Sequence, residues 1–313
     1  MTIPFSWNPV TDFRLMWQFE FMRNAFEAGT IIAIVAGIIG YFVVLRRSAF
    51  ATHALGHVGF SGAAGAVFLG VNPVFGLLAF TMSGGAGMAL LGRRAATRDI
   101  EIGTVLAFML GLGLLFLSLY KGFATEAYGI LFGEVLGISA SGVLFTFEAS
   151  AVVLAVLLLL YRRLLFASLD EDVAEAKGLP LVALGLVFML LLAVAISIAV
   201  QVIGVLLIFA LMVTPAAIAV RVTKSPLGAI VVAVVVAVVS VWFGLFVAFF
   251  ASDLPASSGI VAAFANAPAS FFIVTTSFVL YVAVRVFLAV SAWLVPRTAA
   301  EVHPETPAGH RAA

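Results

Sequence analysis

Residues 181–220 read LVALGLVFMLLLAVAISIAVQVIGVLLIFALMVTPAAIAV and contain no charged side chain. A helix crosses the hydrocarbon core of a bilayer in about 20 apolar residues. This run is about twice that length, so it must turn back once. Its one side-chain amide, Gln201, lies near the middle and marks the expected turn. Two spanning helices joined tip to tip are the reading that accommodates such a run.

The rest of the chain has the same character. Of 313 residues, 64% are hydrophobic and 10% are charged, and the mean hydropathy is +1.24. A soluble domain carries about 25% charged residues, and this chain has too few to cover a water-facing exterior. The expected fold class is therefore an all-α polytopic transmembrane bundle surrounded by membrane lipid. A net charge of +1 with no basic tract speaks against nucleic acid as a partner. Disulfides and thiolate metal sites are excluded because there is no cysteine.

With a crossing length of about 20 residues as the ruler, about nine spans are expected, at 26–45, 49–70, 73–92, 100–120, 143–161, 181–199, 202–220, 227–250 and 268–290. Ahead of them, residues 1–25 read as an N-terminal interfacial segment, in which Asp12, Arg14, Glu20 and Arg23 alternate with Phe13, Trp17, Phe19 and Phe21. That mixture suits a surface helix better than a cleaved signal core. Residues 26–292 form one membrane domain, and the polar, Pro/Ala-rich tail 293–313 is expected to be disordered.

Charge orients the bundle. Arg46, Arg47, Arg93, Arg94, Arg98, Arg162, Arg163, Lys177, Arg221, Lys224, Arg285, Arg297 and Arg311 fall on one side, and only Arg14, Arg23 and Lys121 on the other. Cytoplasmic loops carry the positive excess. The N-terminus is thus expected outside and the C-terminus in the cytoplasm, as in a multi-pass protein of a bacterial inner membrane.

Small residues cluster in the second, third and fourth spans. Gly56, Gly59, Gly62 and Gly65 recur every three residues, Gly84, Gly85 and Gly87 follow, then Gly111 and Gly113. Lipid supplies no hydrophobic pull between helices, so small residues that allow close backbone approach are the usual packing surface. The second span reads as a crowded central helix.

That span, within RRSAFATHALGHVGFSGAAGA, also holds His53 and His57. A spacing of four puts both imidazoles on one helix face, one turn apart. At about 1.5 Å per residue from Ser48, they lie about 8 and 14 Å deep, the second approaching the midplane of a core about 30 Å thick. Ionisable groups at that depth are costly and generally face a cavity or pathway. Two neutral imidazoles make half of a tetrahedral zinc site. Hydrogen bonding to neighbouring helices and a proton relay are the other roles open to them. Among the scarce carboxylates, Glu148 falls inside the bilayer boundary and Asp253 opens an outer loop, so both are candidates for an outer pathway.

Residues 164–181, LLFASLDEDVAEAKGLPL, carry the signals of a short helix on the cytoplasmic face. Ser168 with Glu171 forms a capping box, Asp170, Glu171 and Asp172 suit the positive helix end, and Gly178 and Pro180 stop it. Such well-specified ends point to a docking element or an interfacial helix.

Several blocks in order, FVVLRRSAFATHALGHVGFSG, TRDIEIGTVLA, YGILFGEVLGIS, LDEDVAEAKGLPL, VIGVLLIFALMVTPAAIA and DLPASSGI, resemble the permease subunits of zinc/manganese ABC importers. The resemblance runs along most of residues 26–290 and implies the fold of type II ABC importer permeases. It implies a coupling helix at about 168–180, in which Asp170, Glu171, Ala174 and Gly178 meet a cytoplasmic ATPase subunit. It also implies a second permease copy in a homodimer and an extracytoplasmic metal-binding protein. His57 matches the family's pathway histidine, while His53 stands where the family usually has aspartate. Imidazole in place of carboxylate favours zinc over manganese, which prefers oxygen ligands.

The chain has no G-x-x-x-x-G-K-[ST] segment, so it is expected to be a transporter subunit rather than an enzyme, with ATP hydrolysis on a separate chain. It is expected to bind no cofactor, the divalent metal being cargo. The alternatives are a manganese or iron importer permease of the same family, a permease for a metal chelate, or a proton- or sodium-coupled metal carrier. An intramembrane hydrolase finds no support, since HExxH and G-x-S-x-G are absent.

Overall fold

The computed structural model describes residues 9–90, 95–120, 129, 133, 135–251, 264 and 267–294. Among these, eleven α-helices follow one another: α1 Pro9–Met16, α2 Glu20–Leu45, α3 Ala49–Phe68, α4 Pro73–Leu90, α5 Ala95–Leu119, α6 Ala140–Leu169, α7 Glu171–Ala176, α8 Leu181–Ile203, α9 Val205–Val222, α10 Pro226–Ala251 and α11 Ala269–Leu294. A single 3₁₀ turn, Val135–Gly137, precedes α6. Helices satisfy their own backbone polar groups, which is what a bilayer interior demands.

Seven of these helices, namely α2, α4, α5, α6, α8, α10 and α11, are long and apolar enough to cross a membrane. The chain is thus a multi-pass membrane protein. Long helices also stand at the two other expected positions, but neither meets the same measure. The apolar run of α9 is a shorter one, Leu207–Val222. In α3, two histidines and four glycines lower the hydropathy. That helix has little need of lipid-compatible side chains, because protein surrounds it: α4, α5, α8 and α9 all pack against it.

The bundle has an inner and an outer set. The most apolar window of α2 is 67% buried, and α2 packs on α6, α8, α9 and α10. The corresponding windows of α5 and α11 are only 11% buried, so these helices stand at the periphery. Their exposed Phe108, Leu114, Phe278 and Phe287 are what a lipid-facing surface requires.

The charge-free run breaks at Gly204, three residues beyond the expected turn at Gln201. Gly204 ends α8 and begins α9 with φ 80° and ψ 164°, a combination open essentially to glycine alone. Gln201 keeps a helical backbone, so polarity did not mark the hinge. The joint is also crowded, since a Cβ on Gly133 would overlap the backbone of Ile203 and Gly204.

The glycine row of α3 explains its central place. A step of three residues rotates by about 300°, so glycines spaced by three fan round the helix in steps of about 60°. Gly56 accordingly faces Val205 of α9, Gly59 faces Thr81 of α4, Gly62 meets the backbone of Gly76 in α4, and Gly65 faces Phe116 of α5. Neighbours on several sides therefore approach α3 at once. At Gly62 and Gly76 the fit is reciprocal: a Cβ on either would collide with the carbonyl oxygen of the other. A buried hydrogen bond of 2.7 Å between the hydroxyls of Thr81 and Ser197 then ties α4 to α8. Not every glycine serves packing, for Gly87 and Gly111 have nothing within 4 Å of a built Cβ.

Replacing Gly62 by alanine should therefore push α3 from α4 and cost about 1–3 kcal/mol, read as a lowered thermal midpoint of the detergent-solubilised chain. Gly87→Ala, in open space, should leave the midpoint unchanged or raise it slightly through helix propensity.

Candidate functional site

Between residues 51 and 67 every side chain of α3 is buried except His53 and His57. The protein wrapped round this helix leaves these two imidazoles half-buried. Their ring centroids are 4.7 Å apart and the planes meet at 84°, edge to face. On its other side His53 meets Phe209 of α9, edge to face at 5.1 Å. The Nδ1 atom of His57 is buried with no hydrogen-bond partner. One helical turn further on, the hydroxyl of Ser61 donates to the His57 carbonyl at 3.0 Å and also lies against the Met109 carbonyl of α5.

The arrangement offers two imidazoles on one face, one of them with an unsatisfied ring nitrogen. Neutral imidazole nitrogen is a donor suited to zinc and other borderline divalent ions. Among the described residues no third His, Asp or Glu joins the pair to complete a metal cluster. Two imidazoles are half the number of donors in a tetrahedral zinc site.

The other expected pathway residues are not gathered here. Glu148 is exposed on α6, which packs on α2 and α8 rather than α3. Its exposed neighbours Leu144, Phe145, Phe147 and Val152 are all apolar. Asp253 lies outside the described residues.

At the end of the bundle that carries Arg46, Arg162, Arg163 and Lys177, a short helix stands between α6 and α8. It is α7, Glu171–Ala176, shorter than the expected 168–180. Its cap is not Ser168 but Asp170, whose carboxylate accepts from the Val173 N–H at 3.0 Å. Ser168 remains inside α6 and turns its hydroxyl back to the Leu164 carbonyl, the bonding open to serine within a helix. At the other end Gly178 takes φ 77°, with Gly178 N–H to Glu175 O at 2.8 Å and Leu179 N–H to Ala174 O at 3.1 Å. Those two bonds are a Schellman stop, which calls for glycine at this position.

Ala174 is fully buried in a small cluster with Ala167 and Leu184 that fixes α7 to its flanking helices. Glu171, Asp172, Val173 and Glu175 face outward. Of the expected contact residues, Asp170 and Gly178 shape the helix ends, Ala174 anchors it inward, and Glu171 is presented outward.

Three contributors had no distinctive sequence signal. Phe209 is one phenylalanine among many, and only the fold brings it to His53. Arg46 reads simply as part of the basic loop. Ser61 reads as one small residue of a packing helix, and its bond to the His57 carbonyl is open to any helical serine.

Relatives agree with the fold and with the order of these elements. The Listeria monocytogenes manganese transport system membrane protein MntC is 31% identical over 232 residues, covering 74% of this chain and 82% of that protein. The Haemophilus influenzae high-affinity zinc uptake system membrane protein ZnuB is 25% identical over 234 residues, covering 74% and 90%. Among solved structures, that of PsaBC from Streptococcus pneumoniae in complex with Fab superposes with a TM-score of 0.74 at 26% identity, covering 88% of this chain and 94% of that one. The ABC 3 transport family description matches residues 18–285, and this chain belongs to that family.

Proposed function

We propose that the chain is the membrane permease subunit of an ATP-driven ABC importer that moves a divalent metal ion, zinc in preference to manganese, into the cytoplasm. The observation that carries this reading is the burial pattern of α3, in which two imidazoles alone are only half-buried between residues 51 and 67. Lipid would be a poor neighbour for them, so a water-filled path or a second permease copy covers that face. A homodimer brings two such half-sites to the complex.

In this reading the basic end of the bundle is cytoplasmic, the N-terminus lies outside, and α3 and α9 bring the crossings to nine. The outward acidic face of α7 meets a cytoplasmic ATPase, and an extracytoplasmic binding protein delivers the ion to the opposite end. Glu148 and Asp253 serve the outer approach of the cation. The tail beyond residue 292 takes no part. ATP closure of the partner would then expose the imidazole pair alternately to the two sides.

Manganese is the second reading, since the manganese-system relative is the more similar of the two at 31% against 25% identity. Donor chemistry supports zinc: two nitrogens suit it, whereas manganese favours carboxylate, carbonyl and water oxygen. A proton- or sodium-coupled carrier would need charged groups within its spans, and family membership gives it no support.

His57→Ala should abolish zinc-dependent growth rescue while the chain remains in the membrane at its normal level; undiminished rescue would remove His57 from the pathway. In competition transport by the reconstituted complex, zinc should displace manganese, and His53→Asp should shift the preference toward manganese. An unchanged preference in that variant would place metal selection elsewhere. Asp170→Ala removes the cap of α7 and should cost about 1 kcal/mol locally. The expected result is faster amide hydrogen exchange over 171–179 and weaker ATPase docking.

A further inference from the structure

Arg46 closes α2, and its side chain reaches across the basic end of the bundle. Its guanidinium donates to the Ser168 hydroxyl at 3.2 Å, two residues before the cap of α7. The same group lies over the Phe188 ring of α8 at 5.2 Å. Gly185, one turn earlier in α8, lies beside it, where an added Cβ would stand 3.8 Å from the guanidinium, an ordinary van der Waals contact. One side chain thus touches both helices that flank α7.

Its backbone is joined as firmly to α3. Arg47 adopts φ 53°, with Arg47 N–H to Val44 O at 3.2 Å and Ser48 N–H to Val43 O at 2.8 Å. That pair of bonds is again a Schellman stop, here with arginine where glycine is usual. The buried Ser48 hydroxyl donates to the Arg46 carbonyl at 3.3 Å, and the Thr52 hydroxyl donates to the Ser48 carbonyl at 3.0 Å. Thr52 immediately precedes His53. A continuous set of contacts therefore runs from the end of α6, through Arg46, to the turn of α3 that ends at Thr52, the residue before His53.

A cavity of about 200 Å³ borders this tie, lined by Arg46, Ser48, Ala167, Glu171 and Gly185 among others. The elbow has space on the side of α7, so α7 and α3 are not locked by packing alone. Arginine suits a tie of this kind, because its planar fork bonds a hydroxyl while its face stacks on an aromatic ring.

We infer that Arg46 is the positioning residue that transmits displacement of α7 to the histidine-bearing helix α3. This rests on the proposed reading of α7 as the element that meets the ATPase. When α7 is drawn by its partner, Ser168 and Phe188 move with the helices that carry them, and Arg46 turns the α2–α3 elbow. The imidazole pair then changes its aspect without any contact between α7 and α3 themselves.

The experiment uses the full permease–ATPase complex in proteoliposomes with radioactive zinc chloride, reading zinc moved per ATP hydrolysed. Arg46→Met keeps the length of the stem and removes the fork. It should lower the transport-to-hydrolysis ratio about tenfold, in the range of a typical coupling energy, with ATPase assembly and zinc binding by the permease unchanged. Arg46→Lys should recover part of the ratio, and Ser168→Ala, which removes the acceptor and leaves the Arg46 side chain intact, should lower it in the same direction.

An unchanged ratio in Arg46→Met overturns the inference. So does loss of assembly or of zinc binding in step with transport, which would make Arg46 a brace. Should Arg46→Met fail to fold, Ser168→Ala decides, and an unchanged ratio there overturns the inference as well. A wild-type complex that hydrolyses ATP and moves manganese but no zinc would refute the zinc reading and leave the relay to be read with manganese.

Discussion

In a bilayer the inside of a helical bundle and its surroundings are about equally apolar, so burial by itself does not draw one helix to the centre. What holds α3 there is contact at the shortest range a backbone permits. Gly62 and Gly76 exclude side chains from the place where α3 crosses α4, and Gly40 of α2 does the same against the Met212 carbonyl of α9. Dispersion between closely approached backbones, together with hydrogen bonds such as Thr81 to Ser197, replaces the hydrophobic force that would order a soluble core. The glycine fan of α3 spends about half its circumference on such contacts. His53 and His57 are the side chains left half-buried between residues 51 and 67.

This explains what was legible in the sequence and what was not. Hydropathy marks helices that face lipid, so α5 and α11 are easy to read, whereas α3 lies among protein and reads poorly by that measure. A family of small residues announced its packing role instead. The turn between α8 and α9 was expected at the polar Gln201, yet a helix tolerates glutamine and only Gly204 can adopt the required backbone angles. Serine at 168 was expected to cap α7; it bonds within α6, and the stronger charge-assisted cap one residue after α6 is Asp170.

The histidine pair was legible because a four-residue spacing fixes a shared face without any knowledge of the fold. Phe209 and Arg46 were not, because their meaning lies in partners far along the chain; Arg46 and Ser168 are 122 positions apart. Local chemistry therefore singled out the imidazole pair, and tertiary packing brought together the side chains distant in sequence. A basic doublet such as Arg46–Arg47 illustrates the difference. Its charge is a sequence cue to orientation, while its geometry, a left-handed Arg47 and an Arg46 reaching two helices, connects the bundle.

The same scarcity of charge bears on how an ion would pass. A site of two neutral imidazoles leaves the double positive charge of zinc uncompensated, in surroundings of low dielectric where a lone charge is expensive. A carboxylate beside them would hold the ion more tightly and would itself be costly to keep ionised at the midplane when the ion has left. Conduction through a membrane asks for a site attractive enough to enter and weak enough to leave. Within the proposed function, two imidazoles would supply directional donor atoms without a fixed counter-charge, so the ion would be recognised by its ligand preference rather than trapped by its charge. An imidazole rather than a carboxylate at position 53 would then alter residence in the site as well as selection at it.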